Sequence, residues 1–297
     1  MGILLGTAYG DSLGLPFEIM KPWDPKLLAW DGNTFLPSDH HSKAQPGDWS
    51  DDTLFSLTIA ESLLDCGQFS PEDLSLRYIE LLKDCRGMGK STRAALEKLK
   101  ENLDYQNSGT EHSFGTGTAM RSSVFGVFFK SDYQAMVDAV TIDSKTTHKK
   151  HECFVGALAM ASMAWLICND KISSDPNHFY SNLNEIIKLI PMSKIKVVLQ
   201  GMMFGAGPLS AKEKASLIGS SFDVRDVVPL VIVTYLSTST LHEAVELVIR
   251  CGGDADTAGS MVGGLCGITQ DIPKSGMILS DYNRLAVVDE RLMPNVS

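Results

Sequence analysis

Apolar residues recur through most of the chain at intervals of three and four, the spacing that places them on one face of an α-helix. The segment 227–236 is rich in valine and isoleucine, but no partner strands accompany it, so we predict a buried helix rather than a strand. Helical patterns cover residues 2–14, 52–66, 71–84, 91–102, 117–129, 132–142, 149–168, 179–190, 193–203, 211–219, 226–237, 241–250 and 256–268. The chain is therefore predicted to be all-α, a single compact multi-helix domain spanning residues 1–297.

The first predicted helix has a glycine at every fourth position, at Gly2, Gly6, Gly10 and Gly14. Such a stripe of small residues allows the backbone of another helix to approach closely. Because glycine lowers helix propensity, tertiary packing must hold this segment in a helix.

Residues 19–48 have little periodicity and contain four prolines, Pro22, Pro25, Pro37 and Pro46. Irregular segments of this length are uncommon in compact domains unless they are lids or binding loops. We predict a flap with Glu18 at its root. His40 and His41 lie in this segment without companions at ligand spacing, so we expect both side chains to be solvated.

Several predicted helices begin with a recognisable cap. Ser70 is followed by proline at the first helical position, which favours a helix start there. The capping-box spacing, a hydroxyl followed three residues later by Glu or Gln, occurs at Ser131 with Gln134, Ser210 with Glu213, and Thr240 with Glu243.

The balance of charge excludes two broad classes of partner. With 26 Lys plus Arg against 36 Asp plus Glu, the formal net charge is -10, which disfavours nonspecific electrostatic binding to nucleic acid or to an anionic membrane. The six cysteines are scattered, as expected for reduced, buried thiols. No signal peptide opens the chain, and its first motif begins close to Met1, so we expect a cytoplasmic protein without an N-terminal extension. No pattern bears on oligomeric state, and a monomer is the default expectation.

The small-residue stretch 251–267 begins with three oxygen donors within four residues, Asp254, Asp256 and Thr257. Carboxylate and hydroxyl oxygens suit Mg²⁺, Mn²⁺ or Ca²⁺ rather than softer metals. The alternative is that one of the two aspartates only caps the following helix.

A second acidic cluster, Ser50, Asp51 and Asp52, opens the helix predicted from residue 52. Acids in a first turn complement the helix dipole, which is the structural explanation. Adjacent carboxylates repel each other, however, and a cation would relieve that repulsion. We therefore interpret the two acidic clusters as partners in one cation site. For Asp11 and Glu18 the structural alternatives are a cap and an ordinary solvated acid.

Residues 114–121 place Gly115 and Gly117 where a helix begins, so backbone N–H groups could meet a phosphate there. A plain turn before a helix explains the same pattern. His148 lies at another apparent helix start, where a histidine alone is more often a cap or a core residue.

Five motifs in order give the chain a specific resemblance: G-x-x-x-G-D-x-L-G-x-x-x-E from Gly6, S-D-D-T from Ser50, G-x-G-x-A-M-R from Gly115, T-H at residues 147–148, and G-G-D-A-D-T from Gly252. Over residues 6–267 the chain resembles the ADP-ribosylglycohydrolases. This family includes the dinitrogenase-reductase-activating enzyme and the hydrolases of ADP-ribosyl-arginine and ADP-ribosyl-serine.

The resemblance implies an all-α domain with a binuclear Mg²⁺ or Mn²⁺ centre at the bottom of an ADP-ribose cleft. It assigns the metal ligands as Ser50, Asp51, Asp52, Asp254, Asp256 and Thr257, and the catalytic residues as Glu18, Asp52 and Asp254. It also implies a substrate-binding and supporting set made of Asp11, Gly115, Gly117, Met120, Arg121 and His148. The sequence departs from the family pattern at Ser50, where threonine is usual, and at Thr116, where asparagine is common.

The reaction implied is hydrolysis at C1″ of the distal ribose, releasing ADP-ribose from a modified protein side chain, with arginine the first choice. Glu18 would serve either as general base or as a ligand to a metal or ribose hydroxyl. Two alternatives stay open at this point. One is hydrolysis of O-acetyl-ADP-ribose or another ADP-ribose or phosphoribosyl conjugate, and the other is a non-catalytic ADP-ribose-binding or structural protein.

Overall fold

A computed structural model describes residues 1–41, 44–173, 175–205 and 209–294. In these ranges it contains fifteen α-helices and no β-strand, and one isolated parallel bridge joins Thr110 to His148. The helices are α1 Ile3–Gly14, α2 Pro25–Ala29, α3 Asp51–Cys66, α4 Pro71–Glu80, α5 Lys90–Asn102, α6 Ala119–Phe128, α7 Tyr133–Thr147, α8 His151–Cys168, α9 Phe179–Leu189, α10 Lys194–Gly205, α11 Ala211–Ile218, α12 Val224–Ser237, α13 Leu241–Arg250, α14 Ala255–Gly267 and α15 Tyr282–Leu292. Short 3₁₀ turns occupy Leu15–Phe17, Pro176–His178 and Lys274–Ile278.

The all-α prediction is confirmed, including the choice of helix over strand for α12. Five helices, α1, α6, α7, α8 and α10, begin one or two residues later than the periodicity suggested, and α4 ends at Glu80 rather than at residue 84. The pattern missed α2 inside the flap and α15 near the C-terminus.

Hydroxyl caps start the helices largely as expected. Ser70 accepts a hydrogen bond from the Asp73 backbone N–H, and Ser210 with Glu213 forms a complete capping box. Thr240 caps α13. The prediction for Ser131 was wrong: the carboxylate of Asp132 accepts from the Ala135 N–H and caps α7 instead, because a carboxylate one residue nearer the helix reaches its free N–H groups.

The glycine stripe of α1 packs against a matching stripe on α14. The two helices run antiparallel, so that Gly6 faces Gly263, Gly10 faces Gly259 and Gly14 faces the backbone of Ala255. A Cβ atom at any of these α1 positions would overlap a backbone carbonyl of α14. This contact brings the C-terminal end of α1 to the N-terminal end of α14, where the predicted metal ligands Asp254, Asp256 and Thr257 lie.

One continuous hydrophobic core surrounds this helix pair and includes side chains from α3, α6, α8, α12 and α13. By length and composition α8 could cross a membrane, yet 72% of it is buried inside the protein. That burial is expected of a helix in the centre of a globular core.

The predicted flap is irregular apart from α2, which begins with Pro25 and is capped by Asp24. The guanidinium of Arg250 on α13 donates hydrogen bonds to the backbone carbonyls of Leu27 and Trp30, which fastens α2 to the body of the protein. Residues 42–43 of the flap lie outside the described ranges.

Candidate active site

The end of α1 and the loop before α14 are joined through their backbones. The Ile19 N–H donates to the carbonyl of Gly253 at 2.9 Å, and the Gly253 N–H donates to that of Met20 at 2.8 Å. Gly252 and Gly253 have φ angles of +67° and +71°, a region that favours glycine. The paired glycines of the G-G-D motif therefore make the turn that places Glu18 beside Asp254 and Asp256.

Asp11 lies beneath the site and organises the start of α3. Its carboxylate accepts hydrogen bonds from the backbone N–H groups of Ser50 and Thr53 at 3.0 and 3.1 Å, and from the Thr53 hydroxyl at 2.6 Å. Burial, followed by the charge of Asp52, raises the pKa of Asp11 to about 8. Asp11 does not line the cavity described below, so its geometry is that of a supporting residue.

Asp52 connects the first turns of α3 and α14. Its carboxylate accepts hydrogen bonds from the hydroxyls of Ser50 at 2.8 Å, Thr257 at 3.3 Å and Ser260 at 3.2 Å. Burial raises the pKa of Asp52 to about 6, although these hydroxyl donors counteract part of the rise. Three donors on two helices therefore fix the direction of this carboxylate.

Asp254 occupies the N-cap position of α14, but its side chain makes no capping hydrogen bond. One oxygen accepts from the hydroxyl of Thr116 at 3.0 Å instead. Thr116 is thus engaged with a predicted metal ligand. The geometry therefore gives no support to a capping role for Asp254.

Five buried aspartates meet here without a cationic partner among the described side chains: Asp11, Asp51, Asp52, Asp254 and Asp256. Burial and then the neighbouring carboxylates raise the pKa of Asp51 and Asp256 well above the ordinary range, and that of Asp254 to about 7. Carboxylates held this close in a buried site are expected to bind a cation or remain partly protonated.

Two groups of carboxylates can each surround one ion. Asp11, Asp52 and Asp256 form one group and Glu18, Asp254 and Asp256 the other, with oxygen atoms inside each group within 4.8 Å of one another. Asp256 belongs to both groups. An all-oxygen donor set with one shared carboxylate fits two hard divalent cations side by side.

A cavity of about 310 Å³ opens above the acids. Its walls include most of the predicted residues, namely Glu18, Asp51, Asp52, Gly115, Gly117, Met120, His148, Asp254, Asp256 and Thr257. Ser50 lies just behind it, hydrogen-bonded to Asp11 and Asp52.

The N-terminus of α5 forms a wall that the sequence analysis missed. Gly87, Gly89, Lys90, Ser91 and Thr92 line the cavity. The run G-M-G-K-S immediately before a helix was a usable signal, because glycines, a lysine and free N–H groups at a helix start suit a phosphate. Ser113 and Phe222 were missed as well, and no local pattern marks them.

Gly117 allows two side chains to come close to the cavity. A Cβ atom there would lie 2.9 Å from the His148 ring and 3.0 Å from the Thr92 hydroxyl. Burial and the charge of Arg121 lower the pKa of His148 to about 3, so its imidazole is neutral at physiological pH. His148 ends α7 rather than starting α8, which begins at His151.

Arg121 is not brought to the cavity. Its guanidinium is fully buried and donates to a carboxylate oxygen of Asp143 at 2.9 Å, the Gly117 carbonyl at 2.6 Å and the Thr147 hydroxyl at 2.9 Å. Arg121 therefore contacts the segment that contains Gly117 and the end of α7, which His148 follows. In this arrangement Arg121 supports the cavity wall from behind.

His41 is not solvated, contrary to expectation. Its side chain is 16% exposed, and its Nε2 lies 2.7 Å from a carboxylate oxygen of Glu18. His40 is 46% exposed, as a solvated side chain would be. Glu18 and His41 are 23 positions apart in the sequence, and only the tertiary structure shows that their side chains meet.

Fold and site together define an all-α class of protein in which two carboxylate groups that share Asp256 lie on the floor of a cleft. The chain belongs to the ADP-ribosylglycohydrolase family, whose model matches residues 1–275. It is accordingly an enzyme that hydrolyses a glycosidic bond.

Curated relatives agree with this placement. The chain is 25% identical to the ADP-ribosylarginine hydrolase Tri1 of Serratia proteamaculans, over 92% of this chain and 72% of that protein. It is 23% identical to the ADP-ribosyl-[dinitrogen reductase] glycohydrolase of Rhodospirillum rubrum, over 92% of this chain and 87% of the relative. A solved structure titled ADP-ribosylglycohydrolase-related protein complex has the same fold, with a TM-score of 0.79 and 22% identity over 100% of this chain and 97% of that one.

Proposed function

We propose that this enzyme removes ADP-ribose from ADP-ribosylated protein side chains, with arginine the preferred linkage, and that it uses two Mg²⁺ or Mn²⁺ ions. The observation that carries the metal requirement is the pair of carboxylate groups joined through Asp256 on the floor of the cavity. The arginine preference is supported by the similarity to the Tri1 hydrolase over 92% of this chain.

The ions would be held by Asp52, Asp254 and Asp256 from the two carboxylate groups, together with Ser50, Asp51 and Thr257, which the family motifs add by position. Asp11 and Glu18, the remaining members of those groups, would lie beside the ions as a supporting residue and a proton acceptor. When bound, they supply positive charge and Lewis-acid chemistry next to the distal ribose. The chain's part is to hold the ligand oxygens in place beforehand, through Asp11 under α3, Thr116 on Asp254 and Ser260 on Asp52.

The opposite wall suits the diphosphate. The first turn of α5 presents free backbone N–H groups and the side chain of Lys90 to the cavity, and both favour an anion. Placing the diphosphate there directs the distal ribose toward the acidic floor. The scissile bond then lies near Glu18.

Glu18 is suited to accept a proton from the attacking water. Its side chain is 17% exposed, lines the cavity and is oriented by the hydrogen bond to His41. Neutral His148 at the cavity wall can hydrogen-bond the ligand without adding charge. A positioned carboxylate of this kind contributes about 10²–10⁴-fold to a hydrolytic rate.

Release of free ADP-ribose from matched arginine-linked and serine-linked substrates tests the proposal. Each reaction is run with Mg²⁺, with Mn²⁺ and with a chelator. We expect cation-dependent release that is faster from arginine. Equal or faster release from serine would overturn the linkage, and release that survives the chelator would overturn the metal requirement. Turnover of O-acetyl-ADP-ribose alone would overturn the substrate class.

A further inference from the structure

Glu18 belongs to two ligand groups of different chemistry. One is the all-oxygen group with Asp254 and Asp256, and the other contains Glu18, His40 and His41. We call the second group the flap cluster. Its imidazole nitrogens and its carboxylate oxygen all lie within 4.8 Å of one another.

The flap cluster is held in place by its surroundings. A Glu18 oxygen lies 2.7 Å from Nε2 of His41 and 3.8 Å from Nε2 of His40. The two imidazole rings are 4.8 Å apart and nearly perpendicular. The backbone N–H of His41 donates to the Ser38 hydroxyl, which itself donates to the carbonyl of Leu15. The flap is thus fastened to the turn that carries Glu18.

A plain hydrogen bond accounts for only part of this arrangement. Orienting Glu18 needs one imidazole, and His41 provides it. His40 directs its Nε2 at the same oxygen, and both histidines also line a second cavity, of about 620 Å³, that Glu18 does not line. The two histidines are therefore accessible from a cavity other than the one that Glu18 lines.

We propose that the flap cluster binds a Zn²⁺-type transition metal ion and is distinct from the all-oxygen centre. Two imidazoles and a carboxylate are ligands that Zn²⁺ accepts, whereas Mg²⁺ and Ca²⁺ prefer oxygen alone. Three protein ligands leave one position for water in a tetrahedral site.

The consequence rests on the function proposed above. An ion in the flap cluster engages a carboxylate oxygen of Glu18, so Glu18 no longer accepts a proton in the reaction cavity. Zinc bound on the flap therefore inhibits hydrolysis, and the enzyme is sensitive to the ratio of Zn²⁺ to Mg²⁺.

Direct binding is measured first, without reference to activity. Chelator-treated full-length protein in excess Mg²⁺ is titrated with Zn²⁺ against a chromophoric chelator, and with Co²⁺ as a spectroscopic probe. We expect one tight site in the wild type. His40→Ala and His41→Ala should each weaken it at least about tenfold, since loss even of an outer-shell partner costs about 10–100-fold.

His178→Ala is the matched control, because His178 is also exposed and also lies beside a carboxylate, 3.5 Å from Asp175, but has no second histidine. It should leave both the tight Zn²⁺ site and basal turnover unchanged. The absence of a tight site in excess Mg²⁺, or equal affinity in the wild type and both flap variants, would overturn the proposal.

Inhibition is measured second, as turnover with one equivalent of Zn²⁺ in excess Mg²⁺. We expect loss of activity in the wild type and in His178→Ala, and resistance in His40→Ala. Zinc binding through both histidines without any effect on turnover would overturn the inhibitory role. A chain that binds zinc in this way but releases no ADP-ribose from any substrate would overturn the proposed function and leave the flap site standing.

Discussion

Two groups of buried charged side chains lie close together in this protein, and only one of them has partners of opposite charge. Arg121 and Asp143 are both fully buried, yet they form an ion pair, and the Tyr78 hydroxyl and backbone carbonyls satisfy their remaining groups. The five aspartates of the site are also buried, each at most 8% exposed, and have no cation beside them among the described side chains. The structural charge of Arg121 is thus neutralised by Asp143 within the fold. The aspartates of the site have no such partner, and a bound ion would neutralise them.

The largest expected effect comes from removing one carboxylate of the site. Asp52→Asn and Asp254→Asn each remove the negative charge of a proposed metal ligand while keeping the volume and one hydrogen-bond acceptor. We expect ADP-ribose release to fall on the order of 10³-fold, comparable to losing a key group that stabilises a transition state. Both variants should remain folded, since they relieve repulsion, and circular dichroism with thermal unfolding verifies this. Retained turnover in either would contradict the assignment.

The next largest effect is expected on the free energy of unfolding, and it comes from the paired charges of Arg121 and Asp143. Arg121→Met leaves the Asp143 carboxylate buried and unpaired, which is expected to lower the free energy of unfolding by about 3–5 kcal/mol. Arg77→Met, which breaks a half-exposed pair with Asp65 and Asp73, should cost less than about 1 kcal/mol. Urea unfolding measures both. Equal losses would remove the distinction between the two kinds of charge.

The pH dependence of stability tests the unpaired acids. Burial raises the pKa of Asp254 to about 7 and of Asp11 to about 8, whereas the pKa of an aspartate in an unfolded chain is about 3.9. The folded state therefore binds more protons between these values, so the stability of the metal-free protein falls as the pH rises from about 4 to about 8. Below about 4 the contribution is fully present and constant.

Thermal unfolding between pH 5 and 8, with a chelator or with excess Mg²⁺, measures this slope. We expect the melting temperature to fall with pH in the chelator and to fall less in Mg²⁺. Asp289, whose pKa burial raises to about 7, adds to the slope outside the site, so only the part that Mg²⁺ removes belongs to the cluster. A melting temperature that rises over this range without cations would contradict the account.

The smallest effect is expected at the phosphate wall. Lys90→Gln removes an exposed charge from the cavity rim, so KM should rise no more than about fivefold with little change in kcat, as is usual for solvent-exposed charge interactions. Lys100→Gln, at the other end of α5, is the matched control. A large fall in kcat with unchanged KM would place Lys90 in the chemistry instead.

Most of the helices could be predicted from the apolar periodicity. Most residues of the candidate site could be predicted from the two acidic clusters and the motifs around them. Long helices with regular apolar spacing were predictable, and so was the close approach permitted by Gly6 and Gly10. Their partner stripe, Gly259 and Gly263, has the same four-residue period and could have been matched to them. The helix α2 was not predicted because it is only five residues long, too short to show a periodicity, and lies among prolines.

What could not be predicted depends on contacts between distant segments. The bond between Glu18 and His41 joins residues that share no local pattern, because the flap must first fold back on α1. Arg121 was placed with the ligand by its motif, but only the fold shows Asp143 beneath it. Motifs identify which residues belong together, whereas packing decides which of them reach the cavity.

The most direct test of the central claim is the number of Mn²⁺ ions bound per chain, measured by electron paramagnetic resonance on chelator-treated wild type and Asp256→Asn. Because Asp256 belongs to both carboxylate groups, we predict two spin-coupled ions in the wild type and loss of the coupled signal in the variant. A wild type that binds no Mn²⁺, or a coupled signal that survives Asp256→Asn, would contradict the account.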